Sequence, residues 1–266
     1  MSLLNSAYRI HQLCLDAPAV AVSAYWMVCR LDGRVADGAT MIIVFLTVWL
    51  AYVGDRWMDA QRHPRAALHS PRHRVFVQNP IVWQRVWCAV LVLDVVISVL
   101  ALSVGSWLYG LLLGAMSVAY TVGTQRRIWK GPQKEIIIGI LFGLVAGGFA
   151  PWDWTVSSIC ALIAVGCACA LNCMAVSWNE RELDSLRGEL SAFSADEGQR
   201  RTIMALAILA GLTAMWVSIP FAFWAVVYLA GLAWLLNRRA ILSQASFSLI
   251  ADWGVLFVFL LAGVWG

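Results

Sequence analysis

The sequence predicts an all-α integral membrane protein of nine transmembrane helices, forming a single domain over 1–266. Three observations carry that prediction. Of the 266 residues, 61% are hydrophobic and only 13% are charged, against about 25% charged in ordinary soluble domains. The apolar residues gather into stretches near the roughly 20 that a helix needs to cross a bilayer core, and this length holds about eight to ten crossings. The basic residues keep to the connections on one side. No polar stretch is long enough for a separate soluble domain.

The first twenty residues, MSLLNSAYRIHQLCLDAPAV, lack a basic region followed at once by an apolar core and an AxA-type site. They are not expected to be a signal peptide, and read instead as a short surface helix leading into the first span. That span, 17–30, is short and weakly hydrophobic. The second runs over 38–58, the third over 80–104 and the fourth over 106–123. The fifth covers 134–151 and the sixth 156–179. The seventh covers 201–219, the eighth 221–237 and the ninth 245–265. Very little sequence separates spans three and four, or seven and eight, so both pairs are expected to be tight helical hairpins.

Nine crossings place the connections alternately on two sides. One side holds the N-terminus and the loops 59–79, 124–133, 180–200 and 238–244. Of the 19 lysines and arginines, all but Arg30 and Arg34 fall on that side. Cytoplasmic loops carry such an excess. The N-terminus is therefore expected in the cytoplasm, with the protein in a cell inner membrane and the long loops as cytoplasmic caps. A net charge of +4 follows from this topology and does not point to nucleic acid. Among the 15 tryptophans, Trp26, Trp107, Trp152 and Trp154 fall near the opposite interface, as an aromatic belt does. The seven cysteines lie almost all in apolar segments, form no metal-type CxxC pair, and read as packing residues. His63, His69 and His73 share one polar loop without the helical spacing of a zinc motif.

Two acidic pairs stand out. Asp55 and Asp59 end the second span; Glu180 and Asp184 end the sixth. Each pair is spaced i, i+4, which puts both carboxylates on one helix face about 6 Å apart. Like charges at that spacing repel, and acids near a helix C-terminus oppose the helix dipole. Divalent cations between the pairs explain the arrangement. Mg²⁺ is commonly held by a few carboxylates with phosphate oxygens and water, and nearby arginines grip the same phosphates. Asp94 and Asp252 lie inside spans three and nine, and an intramembrane acid is a functional candidate by default. Asn172, two turns before Glu180, is expected to face the same cavity.

With these motifs in this order, the chain resembles the UbiA superfamily of intramembrane prenyltransferases. Members have nine helices, an NxxxDxxxD motif after the second and a DxxxD motif after the sixth. Leu15-Asp16-Ala17-Pro18 is similar to the family's RLDKP segment, and Asp55 to Asp59 to the acidic half of the first motif. Glu180 to Asp184, with Arg187-Gly188-Glu189-Leu190-Ser191 after it, resembles the second motif. Tyr120, Arg126-Arg127 and Lys130-Gly131-Pro132-Gln133-Lys134 resemble the family's Tyr…Lys-Arg…Pro segment. The chain departs from the pattern at Ala51, Cys14 and Glu180, where the family has Asn, Arg and Asp.

The resemblance implies that Asp55, Asp59, Glu180 and Asp184 hold Mg²⁺ against a prenyl diphosphate, whose prenyl group passes to an unidentified acceptor. Arg56, Arg62, Arg126, Lys130 and Arg181 become candidates to share the diphosphate charge. Tyr52, Tyr120 and Asn172 become candidates to line the substrate site, Tyr52 beside the missing Asn. Carbocations are destroyed by water, so a dry cavity suits this chemistry. Two alternatives stay open: a membrane terpene cyclase of the same fold, and a transporter or non-catalytic membrane protein.

Overall fold

The computed structural model describes residues 10–62, 64–68, 71–126, 128–129, 132–148, 155–186, 197–238 and 242–265. Side chains 65–66, 71–72, 180–186, 197–200 and 244–245 lie outside that description. Among the described residues the chain is all helical, with no strand. The helices are α1 (Asp16–Leu31), α2 (Gly38–Arg62), α3 (Pro64–Ala67), α4 (Pro71–Gln78), α5 (Pro80–Ala101) and α6 (Val104–Gln125). Then follow α7 (Gln133–Ala146), α8 (Val156–Leu186), α9 (Glu197–Val217), α10 (Ile219–Arg238) and α11 (Gln244–Trp265).

Local sequence dictates where these helices begin. Proline occupies the first position of α3, α4 and α5, where its fixed φ suits the first turn and its missing N–H is not needed. Ser103, Ser218 and Ser243 each accept a backbone N–H three residues on, at 3.3, 3.2 and 3.2 Å, capping α6, α10 and α11. Thr155 and Ser158 cap α8 reciprocally: Ser158 N donates to Thr155 Oγ1 at 3.1 Å, and Thr155 N donates to Ser158 Oγ at 3.0 Å.

Asp37 caps α2, accepting from Thr40 N at 2.7 Å and Thr40 Oγ1 at 2.8 Å. The Thr40 amide, with its hydroxyl, holds the Asp37 carboxyl below its ordinary value. A lowered folded value means that the stabilisation is present above the unfolded value and is lost as pH falls through the folded one. Asp37→Ala should therefore cost about 1 kcal/mol near neutrality. The gap in melting temperature should close as pH falls below about 3.9, which thermal unfolding in detergent across that range will measure.

Among the described residues six helices are long and apolar enough to cross a membrane: Gly38–Arg62, Pro80–Ala101, Val104–Gln125, Val156–Asn179, Ile219–Arg238 and Ser246–Trp265. The protein is thus a multi-pass helical membrane protein. The other three predicted spans are also helices, but shorter. α1 has 16 residues, α7 has 14, and Arg201–Val217 is a short apolar stretch of α9. At 1.5 Å per residue α7 rises only about 21 Å.

The bundle has a clear inside. In α8, 67% of the candidate span is buried, against 6% in α5, so α8 is central and α5 peripheral. α5 and α6 present Leu91, Val92, Val95, Val99, Leu108, Leu111 and Leu112 outward. An apolar surface of that extent is an aggregation hazard in water and an ordinary boundary in lipid. The largest core cluster joins α1, α8, α10 and α11 through Met27, Val165, Tyr228, Phe247 and Phe259. A second cluster fastens α4 and α5 to α2 through Trp49, Val53, Phe76, Trp83 and Trp87.

Two expectations change in detail. The lead-in to α1 lies on the surface with one side turned inward: Leu13 is exposed while His11 and Cys14 are buried, and Trp49 Nε1 donates to Leu13 O at 3.1 Å. Two residues, 102–103, link α5 to α6, and Ser218 links α9 to α10, as expected for hairpins. Yet α5 packs chiefly on α2, and α6 chiefly on α7. The loop 59–79 is largely helical, formed by the last turn of α2 with α3 and α4.

Candidate functional site

One face of α2 organises the site. Val44, Thr47, Val48, Ala51, Tyr52, Asp55, Arg56 and Asp59 recur at helical spacing and all line one cavity of about 220 Å³. The opposite walls come from α6 (Leu113, Ser117, Tyr120, Thr124), α7 (Lys134, Glu135, Phe142) and α8 (Cys169, Asn172, Cys173, Ser177). Ala17 and Val20 of α1 and Asp252 and Val255 of α11 complete it. Along α2 the wall changes from aliphatic at Val44 and Val48 to charged at Asp55, Arg56 and Asp59. Four of its side chains are carboxylates, Asp55, Asp59, Glu135 and Asp252, and two are cations, Arg56 and Lys134.

The charged end is held by specific contacts. Gln125 Nε2 donates to Asp59 Oδ1 at 2.6 Å. Arg62 Nη1 donates to both the Gln125 carbonyl and Gln125 Oε1, tying the ends of α2 and α6. Arg56 stacks 5.0 Å from the Tyr52 ring centroid, donates to Tyr52 Oη at 3.3 Å and lies 3.5 Å from His73 Nε2. A guanidinium over an aromatic face is fixed by cation–π attraction, so Arg56 is presented to the cavity in a set orientation. Glu135, buried at the start of α7, accepts from Ser177 Oγ at 3.0 Å, and Lys134 Nζ stands 4.0 Å from the same oxygen.

Of the residues singled out from sequence, Tyr52, Asp55, Arg56, Asp59, Tyr120, Asn172 and Asp252 line this cavity together. Arg62 and Arg126 are exposed at helix ends and do not line it. Lys130 lies outside the described residues, as do the side chains of Glu180, Arg181 and Asp184. α8 continues as a helix through those positions to Leu186, and 180 and 184 continue the four-residue register of Asn172 and Val176. Asp94 is buried off the cavity and accepts from Thr47 Oγ1 at 2.9 Å. Sequence reasoning did not single out Glu135 or Ser177; a carboxylate opening an apolar helix was the available signal for Glu135. It also missed the contact between His73 and Arg56.

A second polar group adjoins the cavity. His11 Nδ1 lies 2.5 Å from Asp16 Oδ2 and 3.9 Å from Asp252 Oδ2. Asn172 Nδ2 donates to Asp252 Oδ1 at 2.7 Å, and Tyr228 Oη donates to Asn172 Oδ1 at 3.4 Å. Set against family models, curated proteins and solved structures, the chain matches none of them.

Proposed function

We propose that the protein is an intramembrane prenyltransferase, which ionises a prenyl diphosphate and passes the prenyl group to an acceptor. The observation that carries this reading is the α2 face. Its aliphatic part and its carboxylate–arginine part line a single cavity, so the cavity suits an amphiphile with an apolar tail and an anionic head. The motifs that resemble the UbiA superfamily agree with it and add the second acidic pair.

In this reading Asp55 and Asp59, with Glu180 and Asp184, hold Mg²⁺, which supplies Lewis-acid stabilisation of the leaving diphosphate. The chain's own groups do the rest. Arg56, oriented by Tyr52, and Lys134 bind diphosphate oxygens. Val44, Val48, Leu113 and Phe142 enclose the tail and keep water from the allyl cation. In this reading the six long helices cross the bilayer together with the shorter α1, α7 and α9, the N-terminus and the charged cavity end face the cytoplasm, and the membrane is a cell inner membrane.

The test is release of diphosphate from labelled prenyl diphosphates by the purified protein. Release should require Mg²⁺ and stop in EDTA; undiminished release in excess chelator sinks the reading. A terpene cyclase remains the second reading, favoured by Asp252: a carboxylate in the cavity wall lets a cyclised cation lose its proton without any acceptor. Prenyl diphosphate supplied alone separates the two, since only the cyclase then yields a cyclic product.

A further inference from the structure

Asp252 lies on the cavity wall, on α11 rather than on the helices that carry the acidic pairs. The rise from Gln244 is about 12 Å along α11, so it stands well inside the helix. A carboxylate there is expensive to keep, and three neighbours orient it. Asn172 holds Oδ1, Tyr228 holds Asn172, and Oδ2 faces His11. The Asp252 side chain retains 16% exposure, while His11 and Asp16 behind it are almost wholly buried.

His11, Asp16 and Asp252 lie close enough to be considered as metal ligands, all within 4.8 Å. The 2.5 Å separation of His11 and Asp16 argues otherwise. Two ligands on one ion stand about 3 Å or more apart. A separation of 2.5 Å is a charge-assisted hydrogen bond. The group is built to hold a proton.

We infer that Asp252 is the base that takes the proton lost when the prenyl cation is captured, with His11 and Asp16 as positioning residues. This rests on the cavity being a prenyl diphosphate site. The C1–O bond breaks and its electron pair leaves with the diphosphate. An electron pair from the acceptor forms the new bond to C1. The proton released from the acceptor's X–H group passes to a carboxylate oxygen of Asp252. In a cyclase the same oxygen takes the proton from the final cation. The acceptor class is thus one that must shed a proton: a phenol, a hydroxyl or an activated aromatic C–H. His11 Nδ1 lies against Asp16 at 2.5 Å and faces Asp252 Oδ2 at 3.9 Å, so one buried ring, itself fixed by Asp16, sets where that carboxylate oxygen stands. Facing Asp252 among the described residues are His11 and Asp16, Cys169 and Cys173 of α8, and Tyr228 of α10.

The experiment uses native membranes containing the full chain, Mg²⁺, and farnesyl or geranylgeranyl diphosphate tritiated at C1. Label is counted in free prenyl alcohol and in all other organic products. Asp252→Asn keeps an acceptor for Asn172 and removes the base. It should still consume diphosphate and bind a thiolodiphosphate analogue, while its product-to-alcohol ratio falls at least about tenfold. An unchanged ratio overturns the inference. So does lost consumption with analogue binding retained, because Asp252 would then act in ionisation. A wild type that yields only alcohol overturns the base and leaves the diphosphate reading standing. If Asp252→Asn fails to bind the analogue, His11→Gln decides. His11→Gln should lower the product-to-alcohol ratio while diphosphate consumption and analogue binding stay near wild type, because the carboxylate loses the ring that positions it. An unchanged ratio overturns the inference. Asp55→Asn tests the underlying reading separately: undiminished consumption there defeats the diphosphate site whatever Asp252 does.

Discussion

Changing Asp55 and Asp59 together to asparagine should cut Mg²⁺-dependent diphosphate release at least about 1,000-fold without lowering the melting temperature. The first half follows from the role proposed for Mg²⁺. Lewis-acid stabilisation of a leaving group amounts to several kcal/mol, and each step of about 1.4 kcal/mol is a factor of ten in rate. The second half follows from the cost of the pair. Two carboxylates at i, i+4 repel, and Asp59 stands in the last turn of α2, where the helix dipole disfavours it. A side-chain amide at position 59 still offers an oxygen to Gln125, so the bond at 2.6 Å has a replacement. A variant that is inactive and melts at or above wild type identifies a binding pair that costs stability. One that is inactive and melts lower points to a structural role. Asp94→Asn is the control. Its carboxylate meets Thr47 at 2.9 Å, off the cavity, and turnover should stay near wild type. Release in detergent and differential scanning of the same samples give both readouts.

Six crossings were legible because a run of about 20 apolar residues has few other uses. α1 and α7 lie where spans were expected, but their helices have only 16 and 14 residues. Hydropathy does not show where a helix stops. The α2 face was legible for the same reason that amphipathic helices are: Ala51, Asp55 and Asp59 repeat every four residues, and one face turns toward one cavity. The arginines were less legible. A guanidinium in a loop looks alike whether it grips a ligand or braces a helix end, and Arg62 braces α2 against α6 through Gln125. Least legible was the polar corner. His11 and Asp252 come from opposite ends of the chain, and no local period brings them together. Asp252 attracted attention as an acid within a span; its partners emerge only when α11 packs on α1 and α8.

The contact between α7 and α8 is the place where a small substitution should do the most damage. Gly139 and Gly143 stand four apart on α7, and Gly166 faces them from α8. A Cβ on Gly139 would lie 2.5 Å from the Gly166 carbonyl oxygen and 2.7 Å from Ala170 Cβ. One on Gly143 would lie 2.7 Å from the Leu162 carbonyl oxygen. Backbone cannot rotate away as a side chain can, so the helices must part. Lipid is as apolar as leucine, and helices in it associate through close packing of small residues. Gly139→Ala should therefore destabilise by on the order of 2 kcal/mol, a loss of several degrees in melting temperature, and Gly139→Leu by more. Gly211 and Gly231 calibrate the experiment. They lie in α9 and α10 with nothing within 4 Å of an added Cβ. Alanine there should stabilise by about 0.5–1 kcal/mol through helix propensity alone. If Gly139→Ala melts at or above wild type, the two backbones do not approach this closely. If it melts lower, turnover should fall with it, because α7 carries Lys134 and Glu135 and α8 carries Asn172 and Ser177 to the same cavity. Parting these helices by even a small distance separates the two walls on which the proposed chemistry depends.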